Sequence, residues 1–223
     1  MEKERTIRVT GTGTLKLRPD LTRLTLTLQG TEKEYGDALR RSAEDTETLR
    51  GVLEKLGFGR ETLKTQQFHV DTMYEGCQDE RGNYMNRFVG YQFQHVLKLE
   101  FPIDDALLGR TLYALAHSGV SPEFQIGYTL ADPEAAKTAL LEQSVRDARA
   151  KAETLAAAAG QKLGALLRID YARGEFDPVV RPMRKMALAA DAVNAQMAES
   201  YDMGIAPDDI RVSDTVTLEW EIA

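Results

Sequence analysis

Apolar and polar residues alternate along two early stretches of the chain. Ile7 and Val9 oppose Thr6, Arg8 and Thr10, and Leu24, Leu26 and Leu28 oppose Thr25 and Thr27. This spacing predicts half-buried strands over 6–11 and 21–30. Between them, Gly11, Gly13 and Arg18-Pro19-Asp20 carry turn chemistry, which predicts a reversal. From Tyr35 the period lengthens: Leu39, Ala43, Thr46, Leu49, Leu53 and Leu56 recur at helical spacing, and Gly57 stands where a left-handed residue closes a helix.

The two-residue period returns with Phe68, Val70, Thr72 and Tyr74, and again with Tyr91, Phe93, His95, Leu97, Leu99 and Phe101. The polar stretch from Glu75 to Arg87 holds Gly76 and Gly82, and it is expected to be a long hairpin connection. A helix capped by Asp104 or Asp105 follows through Leu108, Leu112 and Leu115 to Gly119, then a strand with Phe124, Ile126, Tyr128 and Leu130. The longest predicted helix runs from Asp132, with Pro133 at its first position, to Ala159 before Gly160. Leu141, Val145, Ala148, Ala152, Leu155 and Ala159 form its expected inner stripe. Strands are predicted at 165–171, with Ala165, Leu167, Ile169 and Tyr171 on one face, and at 210–222, with Ile210, Val212, Val216, Leu218, Trp220 and Ile222.

Alternating strands interspersed with helices predict an α+β fold, a mostly antiparallel or mixed sheet with helices packed on one face. Strand, long helix, glycine and strand occur at 21–74 and again at 124–171, which suggests two similar α+β halves. The chain reads as one unit, 1–223, with a subdivision at 1–120 and 121–223. Residues 174–209 form an irregular insertion with Pro178, Pro182 and Pro207 and an Ala-rich, helix-forming stretch from Met186 to Tyr201.

Charge narrows the function classes. Of 223 residues, 28 are Lys or Arg and 35 are Asp or Glu, a net charge of −7. An acidic chain lacks the clustered cations that phosphate contacts need, so no nucleic-acid partner is expected. The apolar run from Leu155 to Ala159 falls far short of the roughly 18 residues of a membrane span. The opening Met-Glu-Lys-Glu-Arg has no apolar leader pattern, and a single cysteine forms no disulfide within the chain, so a reducing cytoplasm is the expected location.

Candidate chemistry is sparse. His95 shares the inward parity of Phe93 and Leu97 and reads as a core histidine; His69 and Asp71 share the other face and supply only two ligands; His117 suits a helix C-terminus. Cys77 lies among Glu75, Asp79 and Glu80, anions that disfavour the thiolate. Met183, Met186, Met197 and Met203 gather four of the seven methionines, with Arg184 and Lys185 between the first two. Those cations oppose a copper site, so flexible packing at an interface is expected there. Cys77 and these four methionines are the redox-sensitive candidates. No catalytic, cofactor-binding or metal residue is assigned, and no cofactor is expected.

Several stretches resemble one family. Ile7-x-Val9-x-Gly11-x-Gly13 followed by Arg18-Pro19-Asp20, and Asp147-Ala148-Arg149-Ala150-Lys151-Ala152-Glu153-x-Leu155-Ala156 leading to Gly160-x-x-Leu163-Gly164, are similar to the SIMPL-domain family. Lys64-Thr65, Gly90-Tyr91 and Pro207-x-x-Ile210-x-Val212-x-x-x-Val216 fit it too, so the resemblance covers nearly the whole chain. It implies a bacterial oxidative-stress-defence type of protein, with many members exported, and carries over no catalytic residue or cofactor.

The expected function is that of a non-enzymatic, self-assembling α+β protein. Strand edges must be covered, and the Thr-rich strands 21–30 and 210–222 have little Pro or Lys to blunt them, so a homo-oligomer is expected. One alternative is a small-ligand-binding or enzymatic domain whose site unites distant residues such as His69, Asp71, His95, Tyr74 and Tyr91. The other is an adaptor that binds another protein through an apolar patch around Met183 to Met203.

Overall fold

The computed structural model describes residues 5–78, 83–172, 176, 178–180 and 206–223. The described strands are β1 (Thr6–Leu17), β2 (Leu21–Glu32), β3 (Lys64–Gln78), β4 (Tyr84–Pro102), β5 (Glu123–Thr129), β6 (Leu163–Asp170) and β7 (Ile210–Ile222). The helices are α1 (Tyr35–Lys55), α2 (Asp105–Ala116) and α3 (Pro133–Ala158). The fold is α+β, as expected, but the strands divide between two sheets, one ordered β1-β7-β6 and the other β3-β4-β2-β5. Close contacts group the chain into two compact units: residues 1–20, 129–180 and 207–223, and residues 21–128 with 181–206.

In the first unit, β1 and β7 pair antiparallel without interruption from Thr6 opposite Glu221 to Leu17 opposite Ile210. The predicted turn at Gly11 and Gly13 is therefore a correction: β1 runs straight through both. They are glycines because α3 lies against them. A Cβ on Gly11 would come within 2.0 Å of the Ser144 carbonyl oxygen, and one on Gly13 within 2.3 Å of the Leu140 carbonyl oxygen. The same closeness explains a second correction. The buried row of α3 is Leu140, Ser144, Ala148, Ala152 and Ala156, preceded by Ala136, a four-residue ridge of mostly small side chains. Only such residues fit above bare strand backbone, and Leu155, expected inside, is 53% exposed. The α3 caps are as predicted: Asp132 Oδ1 accepts from the Ala135 amide at 2.9 Å, and Gly160 has φ +69°. Val9, Val216, Leu218 and Trp220 complete this core with Ala148 and Ala152.

The free side of β1 is closed by α3 side chains. The Thr12 amide donates to Asp147 Oδ2 at 2.7 Å and the Thr14 amide to Gln143 Oε1 at 2.9 Å. Lys151 Nζ donates to the Thr10 carbonyl at 3.4 Å. Lys151 also pairs with Asp147 at 2.6 Å, which together with the Thr12 amide holds the Asp147 carboxyl below the ordinary carboxylate range.

In the second unit, β4 lies between β2 and β3, antiparallel to both. Leu24, Leu26 and Leu28 of β2 and Phe93, Leu97, Leu99 and Phe101 of β4 meet Leu49 and Leu53 of α1 and Leu108, Leu112 and Leu115 of α2. Asp104 caps α2 by accepting from the Leu107 amide at 2.9 Å, and Gly57 follows α1 with φ +92°. The N-terminal half of the α1 stripe is shifted by one residue from its expected place: Ala38 and Ser42 are buried, while Leu39 and Ala43 are exposed. Ser42 is drawn inward by a polar partner, His95.

The strands named above as unblunted edges, 21–30 and 210–222, are interior: β2 lies between β4 and β5, and β7 between β1 and β6. The terminal strands are β1, closed by α3, and β3, β5 and β6.

Candidate functional site

β2 accompanies β4 only as far as Tyr91, which faces Glu32. Beyond it β3 and β4 continue as a two-stranded arm, Met73 to Gln78 against Tyr84 to Gly90. This corrects the expectation of a connection from Glu75 to Arg87: Glu75–Gln78 and Tyr84–Arg87 are paired strand. Gly90 stands where the arm leaves the sheet, and a Cβ there would come within 2.3 Å of the Glu32 carbonyl oxygen. Between Met73–Gly90 and Tyr74–Phe88 the register shifts, leaving Val89 as a bulge.

Isolated ribbons are marginal in water, and cross-strand pairs sustain this one. Tyr74 and Phe88 meet edge to face with ring centres 5.8 Å apart. Phe88 then meets Tyr91 at 5.3 Å, and Tyr91 meets Tyr35 at the start of α1 at 5.6 Å. On the opposite face, Arg87 donates to Glu75 Oε2 at 2.8 Å, and this bond pushes the guanidinium pKa further up. Cys77 faces Met85 on the same side as that pair, and is partly buried. Met73 Sδ accepts a 3.7 Å hydrogen bond from the Thr31 hydroxyl.

The arm leaves much apolar surface open. Tyr74 is 57% exposed, Tyr84 85%, Met85 51% and Phe88 45%. Tyr74, Phe88 and, two rungs further out, Tyr84 share one face of the arm and Met85 stands on the other; exposed apolar side chains gathered on one face of a folded chain mark contact with another surface.

The other sequence candidates do not converge. His95 lies under α1, its Nδ1 3.1 Å from Ser42 Oγ and 3.2 Å from Thr46 Oγ1 and its Nε2 2.8 Å from Thr65 Oγ1. Burial, then the nearby Arg50 guanidinium, pushes its pKa below the ordinary histidine value. His69 lies on the other face of the sheet, with Nε2 3.6 Å from Asp71 Oδ2. Tyr74 and Tyr91 belong to the aromatic row. His117 Nδ1 is 2.8 Å from the Tyr113 carbonyl at the end of α2. Among the described residues, no three His, Cys, Asp or Glu side chains gather as metal ligands. Met183, Met186, Met197 and Met203 lie outside the described residues. In the first unit, a shallow depression beside β6 is lined by Asp170, Tyr171 and Thr217. Its acid is already engaged, Asp170 by Arg8 at 3.0 Å and Arg168 at 2.6 Å, and the Tyr171 hydroxyl donates to Asp214 at 3.1 Å.

Pattern reading missed the arm because Glu75 to Arg87 is polar and contains two glycines. The signal present was pairwise: an aromatic and an acid, Tyr74-Glu75, mirrored by a base and an aromatic, Arg87-Phe88.

These features define an α+β protein of two helix-backed sheets with a projecting aromatic arm. The chain belongs to the SIMPL family, described as protein of unknown function (DUF541), whose pattern matches residues 7–220. It is similar to the 26 kDa periplasmic immunogenic protein of Brucella melitensis biotype 1 and to that of Brucella abortus strain S19. Each is 24% identical over 199 residues, covering 89% of this chain and 76% of the relative. Both relatives are periplasmic by name and lend no support to a cytoplasmic location. No helix among the described residues is long and apolar enough to cross a membrane.

Proposed function

We propose that this SIMPL-family chain is a non-enzymatic protein that self-assembles and acts through the surfaces it presents. The observation that carries this reading is the arm, whose Tyr74, Tyr84, Met85 and Phe88 stand open to solvent. Burying such rings stabilises association strongly, each accounting for roughly 150–250 Å² when covered. The enzymatic alternative needs His69, Asp71, His95, Tyr74 and Tyr91 to share a cleft, and they occupy two faces of one sheet. We place the chain in the periplasm by its relatives' name, and in oxidative-stress defence by family resemblance. Met183, Met186, Met197 and Met203 are then the sulfurs that respond to oxidant, ahead of Cys77, a lone thiol partly buried in the strand pairing of the arm.

Sedimentation velocity over about 1–100 μM, a range that spans weak dimer constants, tests assembly: concentration-dependent species heavier than one chain are expected, and a monomer throughout overturns the reading. Fractionation against a periplasmic marker tests the location. Growth of a deletion strain under peroxide tests the stress role, which falls if the strain matches its parent.

A further inference from the structure

The outer edge of β3 is the longest open strand edge among the described residues. β3 has fifteen residues, is terminal in its sheet and pairs there only with β4. Proteins blunt such edges with lysine, proline, a covering element or brevity. β3 has a single lysine, Lys64, at its first position, and no proline, and its one bulge, at Gln66, leaves the eleven residues from Gln67 to Cys77 without such a device. Among the described residues, no side chain hydrogen-bonds across to its main chain as Asp147 and Gln143 do for β1.

Resting on the self-assembly reading above, we infer that β3 pairs antiparallel with β3 of a second copy, about a two-fold axis through Val70. A two-fold contact brings the same patch of both chains together, and each residue then faces the one equally far on the other side of the axis. The charges of the strand choose the axis. Through Asp71, two carboxylates would face each other, which destabilises. Through Thr72, His69 would face Glu75, which Arg87 already holds at 2.8 Å. Through Val70, His69 faces Asp71 of the second copy twice over, an N–H donor against an acceptor in either protonation state of the ring. Asp71 is 76% exposed and reaches its own His69 only at 3.6 Å, a contact that the facing His69 of the second copy replaces. The same register sets Phe68, 42% exposed, against Thr72, between the axis and the bulge that the register shift leaves at Gln66. The Phe68 ring of each copy joins a row of main-chain bonds toward the roughly 800 Å² per partner of a standard interface. The product is one continuous sheet, ordered β5-β2-β4-β3 and then the same strands in reverse.

Self-crosslinking reads the axis directly, because only a residue on it lies beside its own copy. In the full chain carrying Cys77→Ser, Val70→Cys is expected to give a covalent dimer under oxidised glutathione, since facing Cβ atoms stand about 4.5–5.5 Å apart, near disulfide reach. Tyr74→Cys alone is expected to give none, its copy lying eight strand positions away, roughly 26 Å. Val70 is half-buried, so a second variant leaves it intact: Phe68→Cys with Thr72→Cys crosslinks, while neither single change does. Circular dichroism confirms that each variant folds. Crosslinking of Thr72→Cys or Tyr74→Cys alone, or none by Val70→Cys in a chain that sediments as an oligomer, overturns this pairing and leaves self-assembly standing. A monomer throughout overturns both.

Discussion

Gly11 shows how one residue type serves two purposes that a sequence does not separate. A glycine beside Gly13 and Arg18-Pro19-Asp20 reads as a turn, yet its role is absence of bulk beneath α3. Gly11→Ala would set a Cβ 2.0 Å from the Ser144 oxygen and 2.4 Å from the Ala148 nitrogen, both backbone atoms. Helix and strand must part, and a loss on the order of 1–3 kcal/mol is expected in urea denaturation; an unmoved midpoint would contradict the close contact. His95 was legible as a core histidine from parity alone, though its three hydroxyl partners were not, because they come from α1 and β3. Its folded-state pKa is lowered by burial, so as pH falls below about 6.5 the unfolded chain takes up a proton that the folded chain resists. Stability is therefore lost from about pH 6.5 down through the folded value. His95→Gln removes this component, and a smaller fall than wild type between pH 7 and 5 is expected in chemical denaturation. Asp147 and Asp209, whose pKa values are lowered chiefly by Lys151 and Lys16, add their loss only as pH falls through about 4 and below.

Helices were the most legible elements, since caps and period agree with one another: Asp132, Pro133 and Gly160 bracket α3 as the sequence predicts. The buried row was harder to read. A hydropathy stripe favours Leu155 over Ala156, whereas contact with glycine backbone selects for size, and Ala156 is the buried one. Ala152→Leu should therefore overpack the contact and lose about 1–3 kcal/mol, while Leu155→Ser should stay within about 0.5 kcal/mol as surface changes do. Equal effects in thermal melts would reverse the assignment. Strand ends were less legible than helix ends, because the pairs that extend β3 and β4 past Tyr91 are recognised only once the partner is known. Tyr84→Ser, at an 85% exposed position, is expected to leave the melting temperature unchanged and to weaken association at the same concentration.

For the molecule as a whole, the fold class followed from alternation, and the family from short motifs spread along nearly all of it. The division into two sheets did not follow, because alternation reports which face of a strand is buried and says nothing of which strand lies beside it. β1 and β7 are the clearest case, joined along their whole length though some 200 positions apart. For the same reason β2 and β7 read from sequence as open edges, although both are interior. Oxidation gives a measurement at this scale. Peptide mass spectrometry after graded peroxide is expected to show sulfoxide at Met183, Met186, Met197 or Met203 before sulfenic or disulfide chemistry at Cys77. The reverse order would identify the thiol as the responsive sulfur.

The row of Gln143, Asp147 and Lys151 beside β1 works because two lattices are nearly commensurate. Four residues of helix advance about 6 Å, and two residues of strand about 6.6–6.8 Å, so the three rungs drift apart by well under an ångström each. The side chains take up that drift, and the three bonds stand at 2.9, 2.7 and 3.4 Å. A helix can thus imitate the missing neighbour of a strand for three rungs and little more. Among the described residues, this makes the β1-β7-β6 sheet a polar object, stoppered along β1 and ending in an unpaired strand at β6.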